Sequence, residues 1–142
     1  MGQTIFRNMQ AFKKLDYMPE LKLKQLQYEN ETWKRLLGFM KDENVYLKTR
    51  LSELLKDNFD KNLLEEVENF QSRFIKEDEL IGLLRNDAAE LDRLLEREIF
   101  EDGQILNQVE KQLKKLRRNI KIAQRQFARL KLEFNNYLSE NM

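Results

Sequence analysis

The sequence predicts an all-α fold, an antiparallel three-helix coiled-coil bundle that follows a short N-terminal amphipathic segment. Two features lead to this prediction. Of the 142 residues only four are glycine and one is proline, whereas 36% are charged, a composition typical of highly helical proteins. Apolar residues also recur at positions a and d of a heptad repeat (abcdefg) along three long segments.

The first predicted helix covers residues 20–57. Pro19 suits its first turn, where the missing N–H costs no hydrogen bond. The a and d positions of this helix form a seam that is apolar except at two asparagines. These positions are Leu23, Asn30, Leu37, Asn44 and Leu51 for a, and Leu26, Trp33, Met40, Leu47 and Leu54 for d.

The second and third helices are predicted over residues 60–101 and 104–139. The heptad phase fails at 57–60 and again at 101–104, where polar residues and Gly103 favour helix ends. All ten a and d positions of the third helix are apolar or aromatic. Because the connections are short, neighbouring helices should run antiparallel.

The predicted architecture resembles that of spectrin-type repeats and other antiparallel three-helix coiled coils. Only the heptads support this resemblance, and no functional motif comes with it. Internal sequence repeats are not evident, because the three helices differ in composition. We therefore expect one bundle over residues 19–142.

Residues 1–18 form the predicted amphipathic segment, with Ile5, Met9 and Phe12 at helical spacing. One interpretation is that this segment packs on the bundle as a short fourth element. A dimer contact, a membrane-surface anchor and a disordered tail are the alternatives.

The composition excludes several kinds of chemistry. With no His and no Cys, the chain lacks a histidine base, a thiolate nucleophile and the ligands of an ordinary zinc site. We expect no enzymatic activity, no cofactor, no metal and no small-molecule substrate. No apolar run is long enough for a transmembrane helix, and a cytoplasmic location is the default expectation.

Four polar residues occupy seam positions: Asn30, Asn44, Glu77 and Glu98. Seam asparagines often fix helix register at a cost in stability, and we interpret these four residues in that way. Pairing around the first connection places Asn44 level with Phe74 and Glu77, so we expect Asn44 and Glu77 to share a hydrogen-bonded layer. An inward ligand or ion site is the alternative.

Charge is segregated, since residues 60–102 carry fourteen acids and six bases whereas residues 104–131 carry nine bases and one acid. Seven of these bases fall on outer positions b, c and f of the third helix and form what we call the basic stripe. They are Lys111, Lys114, Lys115, Arg118, Lys121, Arg125 and Arg129. Only Arg117 and Lys131 lie at flanking e positions, where pairing across helices is expected. The stripe is either a solvated face or a site for an acidic protein, a nucleic acid or an anionic membrane surface.

Seven large apolar residues also fall on outer positions, near mid-height of the predicted bundle. This apolar belt comprises Phe39, Val45, Tyr46, Ile75, Leu83, Ile122 and Leu132. The sequence therefore favours a non-enzymatic interaction or scaffold protein that binds a protein partner or forms a homo-oligomer. The alternative is a nucleic-acid-associated protein that uses the basic stripe.

Overall fold

The structure, a computed structural model, describes residues 19–57, 61–100 and 105–141, with the side chains of 22–56, 61–97 and 105–141. Three long helices account for nearly all of this part: α1 over Pro19–Asp57, α2 over Lys61–Phe100 and α3 over Leu106–Asn141. They pack against one another and no strand occurs among the described residues, which confirms the predicted three-helix bundle. The helix ends lie within two residues of the predicted positions. The predicted segment at residues 1–18 lies outside the described residues.

Ion pairs between helices define how the bundle is aligned. Across α1 and α3, the pairs Lys22–Glu110, Glu29–Arg117 and Glu43–Lys131 each join residues 88 apart in sequence. A constant offset means that α1 and α3 run parallel. Across α1 and α2 the order is reversed, because Lys34 pairs with Asp92 whereas Lys48, further along α1, pairs with Asp78. Since α2 is antiparallel to both neighbours, the chain runs up, down and up.

The core follows the seams along the whole bundle. Leu37, Phe74, Ile81 and Ile120 are among its fully buried members. Toward the end of α3 the core is aromatic, and the ring of Phe134 meets Phe74 edge-on at 5.0 Å between centroids. Close packing of this kind leaves the outer heptad positions to define what the protein presents to other molecules. In the described part of the chain, none of the helices is long and apolar enough to cross a membrane.

Candidate interaction surfaces

The first feature of the α1–α2 seam is a buried polar layer. The Nδ2 atom of Asn30 donates hydrogen bonds to the Ala88 carbonyl at 2.9 Å and to Asp92 Oδ1 at 2.7 Å. The other oxygen of Asp92 accepts from Lys34 Nζ at 2.6 Å. This hydrogen bond is the largest cause of the raised pKa of Lys34. We call Asn30, Lys34, Ala88 and Asp92 the first polar layer.

A second polar layer repeats the first one at a distance of two heptads. Asn44 Nδ2 donates to the Phe74 carbonyl at 3.0 Å and to Asp78 Oδ1 at 2.6 Å, while Lys48 pairs with Asp78 Oδ2. The α1 residues of the second layer lie 14 positions after those of the first layer. Its α2 residues lie 14 positions before those of the first layer. The same set of polar contacts therefore occurs twice along the α1–α2 seam.

The expected hydrogen bond between Asn44 and Glu77 is wrong. Asn44 does lie level with Phe74, but its carboxylate partner is Asp78, which reaches the seam from the flanking e position. Glu77 is only 7% exposed, and its Oε2 atom has no hydrogen-bond partner among the described residues. Burial raises the pKa of Glu77, and Arg73 lowers it by a smaller amount. The side chain of Glu98 lies outside the described residues.

Four residues of these layers escaped the sequence prediction: Lys34, Lys48, Asp78 and Asp92. Heptad notation assigns all four to e positions, which are usually counted as flanks of the seam. The signal that reveals them is a 14-residue spacing, which separates two Asn-x-x-x-Lys motifs on α1 and also separates Asp78 from Asp92 on α2. The layers orient α1 against α2, and nothing in their geometry positions a nucleophile or a base beside an enclosed cavity. Within the described ranges, no three His, Cys, Asp or Glu side chains are grouped so as to hold a metal ion.

A surface groove of about 310 Å³ extends from the second polar layer toward the first. It is lined by Lys41, Val45, Lys48, Asp78, Ile81, Gly82 and Arg85. Lys41 and Arg85 are exposed, and neither forms an ion pair with any described residue. A β-carbon built on Gly82 would meet no atom within 4 Å.

All seven residues of the basic stripe are exposed on α3. None of them forms an ion pair with another residue in the described part of the chain. The two flanking bases behave differently, as predicted, because Arg117 pairs with Glu29 and Lys131 pairs with Glu43. The bidentate contact with Glu29, at 2.7 and 2.9 Å, raises the pKa of Arg117. The stripe therefore keeps its outward positive charge.

The seven residues of the apolar belt are 46 to 70% exposed. They lie on all three outer faces of the bundle. Phe39 and Tyr46 flank the α1–α3 face, Val45 and Ile75 flank the α1–α2 face, and Leu83 and Ile122 flank the α2–α3 face. The heptad position of each residue and the interhelical ion pairs together determine which face it flanks. The belt surrounds the bundle and is not a single patch.

Comparisons with known proteins give no functional assignment. No family model matches the chain, and no significant match was found among curated proteins or among solved structures. The geometry described above therefore provides the observations from which a function is proposed.

Proposed function

We propose that the protein is a non-enzymatic helical-bundle interaction or scaffold module that binds a protein partner or a second copy of itself. The observation that supports this proposal is the apolar belt. Its members are large side chains that stay 46 to 70% exposed outside a continuous buried core. Burying one such side chain against a partner contributes about 1.5–3 kcal/mol.

The belt is concentrated along the bundle axis, and this distinguishes it from scattered apolar residues. The registers place Phe39, Leu83 and Ile122 at nearly the same height. Tyr46 and Ile75 follow about one heptad away, at the height of the second polar layer. Isolated exposed apolar residues need no explanation, whereas apolar residues gathered within a short length of the bundle support the proposal of a surface that meets other molecules.

The proposal is tested by introducing a photo-activated crosslinking residue at Phe39, the most exposed member of the belt. We expect light-dependent crosslinks to a protein partner in a native extract, or to a second copy in the purified protein. Ser72, an exposed polar position on α2, provides the matched control. A monomeric solution mass at all concentrations, together with equal crosslinking at positions 39 and 72, would contradict the proposal.

The basic stripe supports a second candidate function, which is nucleic-acid binding. Seven exposed cations, which form no ion pair with a described residue, extend over about 27 Å of one helix, and such a run can neutralise phosphates. Binding of a labelled mixed-sequence oligonucleotide should then weaken steeply between about 50 and about 200 mM salt. Replacing Lys114, Arg118 and Arg125 by Glu should abolish it, whereas the same change at Lys24, Arg35 and Lys61 should have a small effect. Absence of binding at low salt would refute this candidate.

A further inference from the structure

The exposed edge of the α1–α2 seam contains a charge pattern that is interrupted once. Moving along both helices in steps of one heptad, the facing e positions are Lys34–Asp92, Lys41–Arg85 and Lys48–Asp78. The first and third pairs are ion pairs. The middle pair, which we call the central cation pair, places two like charges at facing positions, an arrangement that costs stability in coiled coils.

Neither Lys41 nor Arg85 forms an ion pair with an acid among the described residues. The residues three or four positions away on α1 are Leu37, Gly38, Asn44 and Val45, and those on α2 are Ile81, Gly82, Ala88 and Ala89. No acid occurs among these helical neighbours. Asp78 and Asp92, one heptad away from Arg85 on either side, are each already bonded to a lysine and an asparagine.

The surroundings of the central cation pair are open and partly apolar. Gly82 lines the same groove as the two cations, and a β-carbon on Gly38 or Gly82 would meet no atom within 4 Å beyond the neighbouring backbone of its own helix. Val45 and Ile75, at 48% and 46% exposure, flank the same face. Another backbone can therefore approach this face closely, with apolar side chains available beside the charges.

We propose that this groove binds an acidic amphipathic helix of a protein partner, with a carboxylate of that helix between Lys41 and Arg85. The inference depends on the proposed function and specifies one face and one partner chemistry for it. Lys and Arg side by side match a carboxylate, and the apolar flanks match the apolar side of an amphipathic helix.

Charge complementarity decides between the candidate occupants. Two-fold packing of this face on a second copy would bring four cations together at its centre. Residues 1–18 carry three bases and one acid, so their net positive charge does not complement the two cations of the groove either. An acidic helix of a protein partner supplies the missing negative charge without bringing further cations to this face.

The test is a fluorescence anisotropy titration of the full chain with a labelled helical peptide built from Leu, Ala and Glu, at low salt. We expect saturable binding, which Arg85→Asp weakens about tenfold or more because the substitution supplies the carboxylate within the chain. Arg118→Asp makes the same charge change on the basic stripe and should leave the affinity within about twofold. A peptide with Lys in place of Glu should not bind.

Three results would overturn the inference: no saturable binding by the unsubstituted chain, equal binding by Arg85→Asp, or an equal loss on Arg118→Asp. Circular dichroism establishes that both variants are folded. The proposed function fails separately, through the crosslinking at Phe39 and the solution mass. If the peptide does not bind but the protein still crosslinks at position 39, only the proposed use of this groove is refuted, and the proposed function stands.

Discussion

The two polar layers of the α1–α2 seam have the same hydrogen bonds but different packing. In both, an asparagine donates to a carbonyl and to an aspartate that also binds a lysine. The carbonyl belongs to Ala88 in the first layer and to Phe74 in the second. The register of the two backbones therefore determines the polar contacts. The side chains packed beside these contacts differ in size between the two layers.

The differences between the layers compensate one another in part. Trp33 of the first layer corresponds to Leu47 of the second, so a large residue on α1 accompanies the small Ala88 on α2. Two buried polar atoms at the height of each layer have no hydrogen-bond partner among the described residues: Asn30 Oδ1 and Trp33 Nε1 at the first, Asn44 Oδ1 and Glu77 Oε2 at the second. At the position that corresponds to Glu77, the first layer has the buried Leu91.

The largest expected effect on stability comes from replacing Phe74 of the second layer by alanine, the residue found at the corresponding position, Ala88, of the first. Phe74→Ala removes a fully buried ring that contacts Phe134, and no tryptophan on α1 is present to fill the space. We expect a loss of about 3–5 kcal/mol in the free energy of unfolding, measured by urea titration. A loss below about 1 kcal/mol would show that the layers do not differ in packing as described.

A double-mutant cycle tests whether each layer acts as a unit. Asn44→Ala and Asp78→Ala should each cost about 1–3 kcal/mol and should couple by about 0.5–3 kcal/mol, because they share a hydrogen bond. Asn44→Ala with Asp92→Ala is the matched control, since the layers are about 21 Å apart along the helix. Additive costs within the second layer, or coupling between layers, would contradict the assignment of partners.

Glu77→Leu places at the second layer the leucine that the first layer has at the corresponding position, Leu91. Because burial raises the folded-state pKa of Glu77, the fold retains a proton that the unfolded chain releases, and stability falls as pH rises from about 4.5 through the folded-state pKa. We expect the substitution to increase the free energy of unfolding by about 1–3 kcal/mol at pH 7, and by less at pH 4. Leu91→Glu should have the opposite sign. A loss of stability at pH 7 on Glu77→Leu would show that the carboxylate is satisfied.

Gly82→Ala tests the segment between the layers and has a smaller expected effect. The added methyl group meets no atom, and a helix-interior glycine costs about 0.5–1 kcal/mol relative to alanine. We expect stability to rise by that amount in thermal or urea unfolding. Gly38→Ala, which is equally open, is the control and should give the same gain. A destabilised Gly82→Ala protein would show that the groove is less open than described.

Much of the fold was readable from the sequence because long heptad seams specify which face of each helix is buried. The spacing around the first connection also placed Asn44 level with Phe74 correctly. The partner of Asn44 was assigned to Glu77 because that residue occupies a seam position, whereas Asp78 reaches inward from a flanking one. Such choices depend on side-chain rotamers and on the local helix separation, which heptad notation does not contain.

The surfaces were less predictable than the seams. The sequence identified the basic stripe and the apolar belt by outward heptad positions, but it did not indicate which outer positions face one another. That information comes from the interhelical ion pairs, which set the register of α1 against α2 and α3. The central cation pair becomes visible only when Lys41 and Arg85, 44 residues apart in sequence, are placed opposite each other.

The most direct test of the account is the stability of Arg85→Asp in the isolated chain. The substitution turns the central cation pair into the Lys–Asp pair found one heptad away on either side. We expect the free energy of unfolding to rise by about 0.3–1 kcal/mol, with the gain shrinking at high salt. Arg118→Asp, a solvent-facing control with the same charge change, should show no such gain. A loss of stability on Arg85→Asp would contradict the claim that Lys41 and Arg85 are uncompensated.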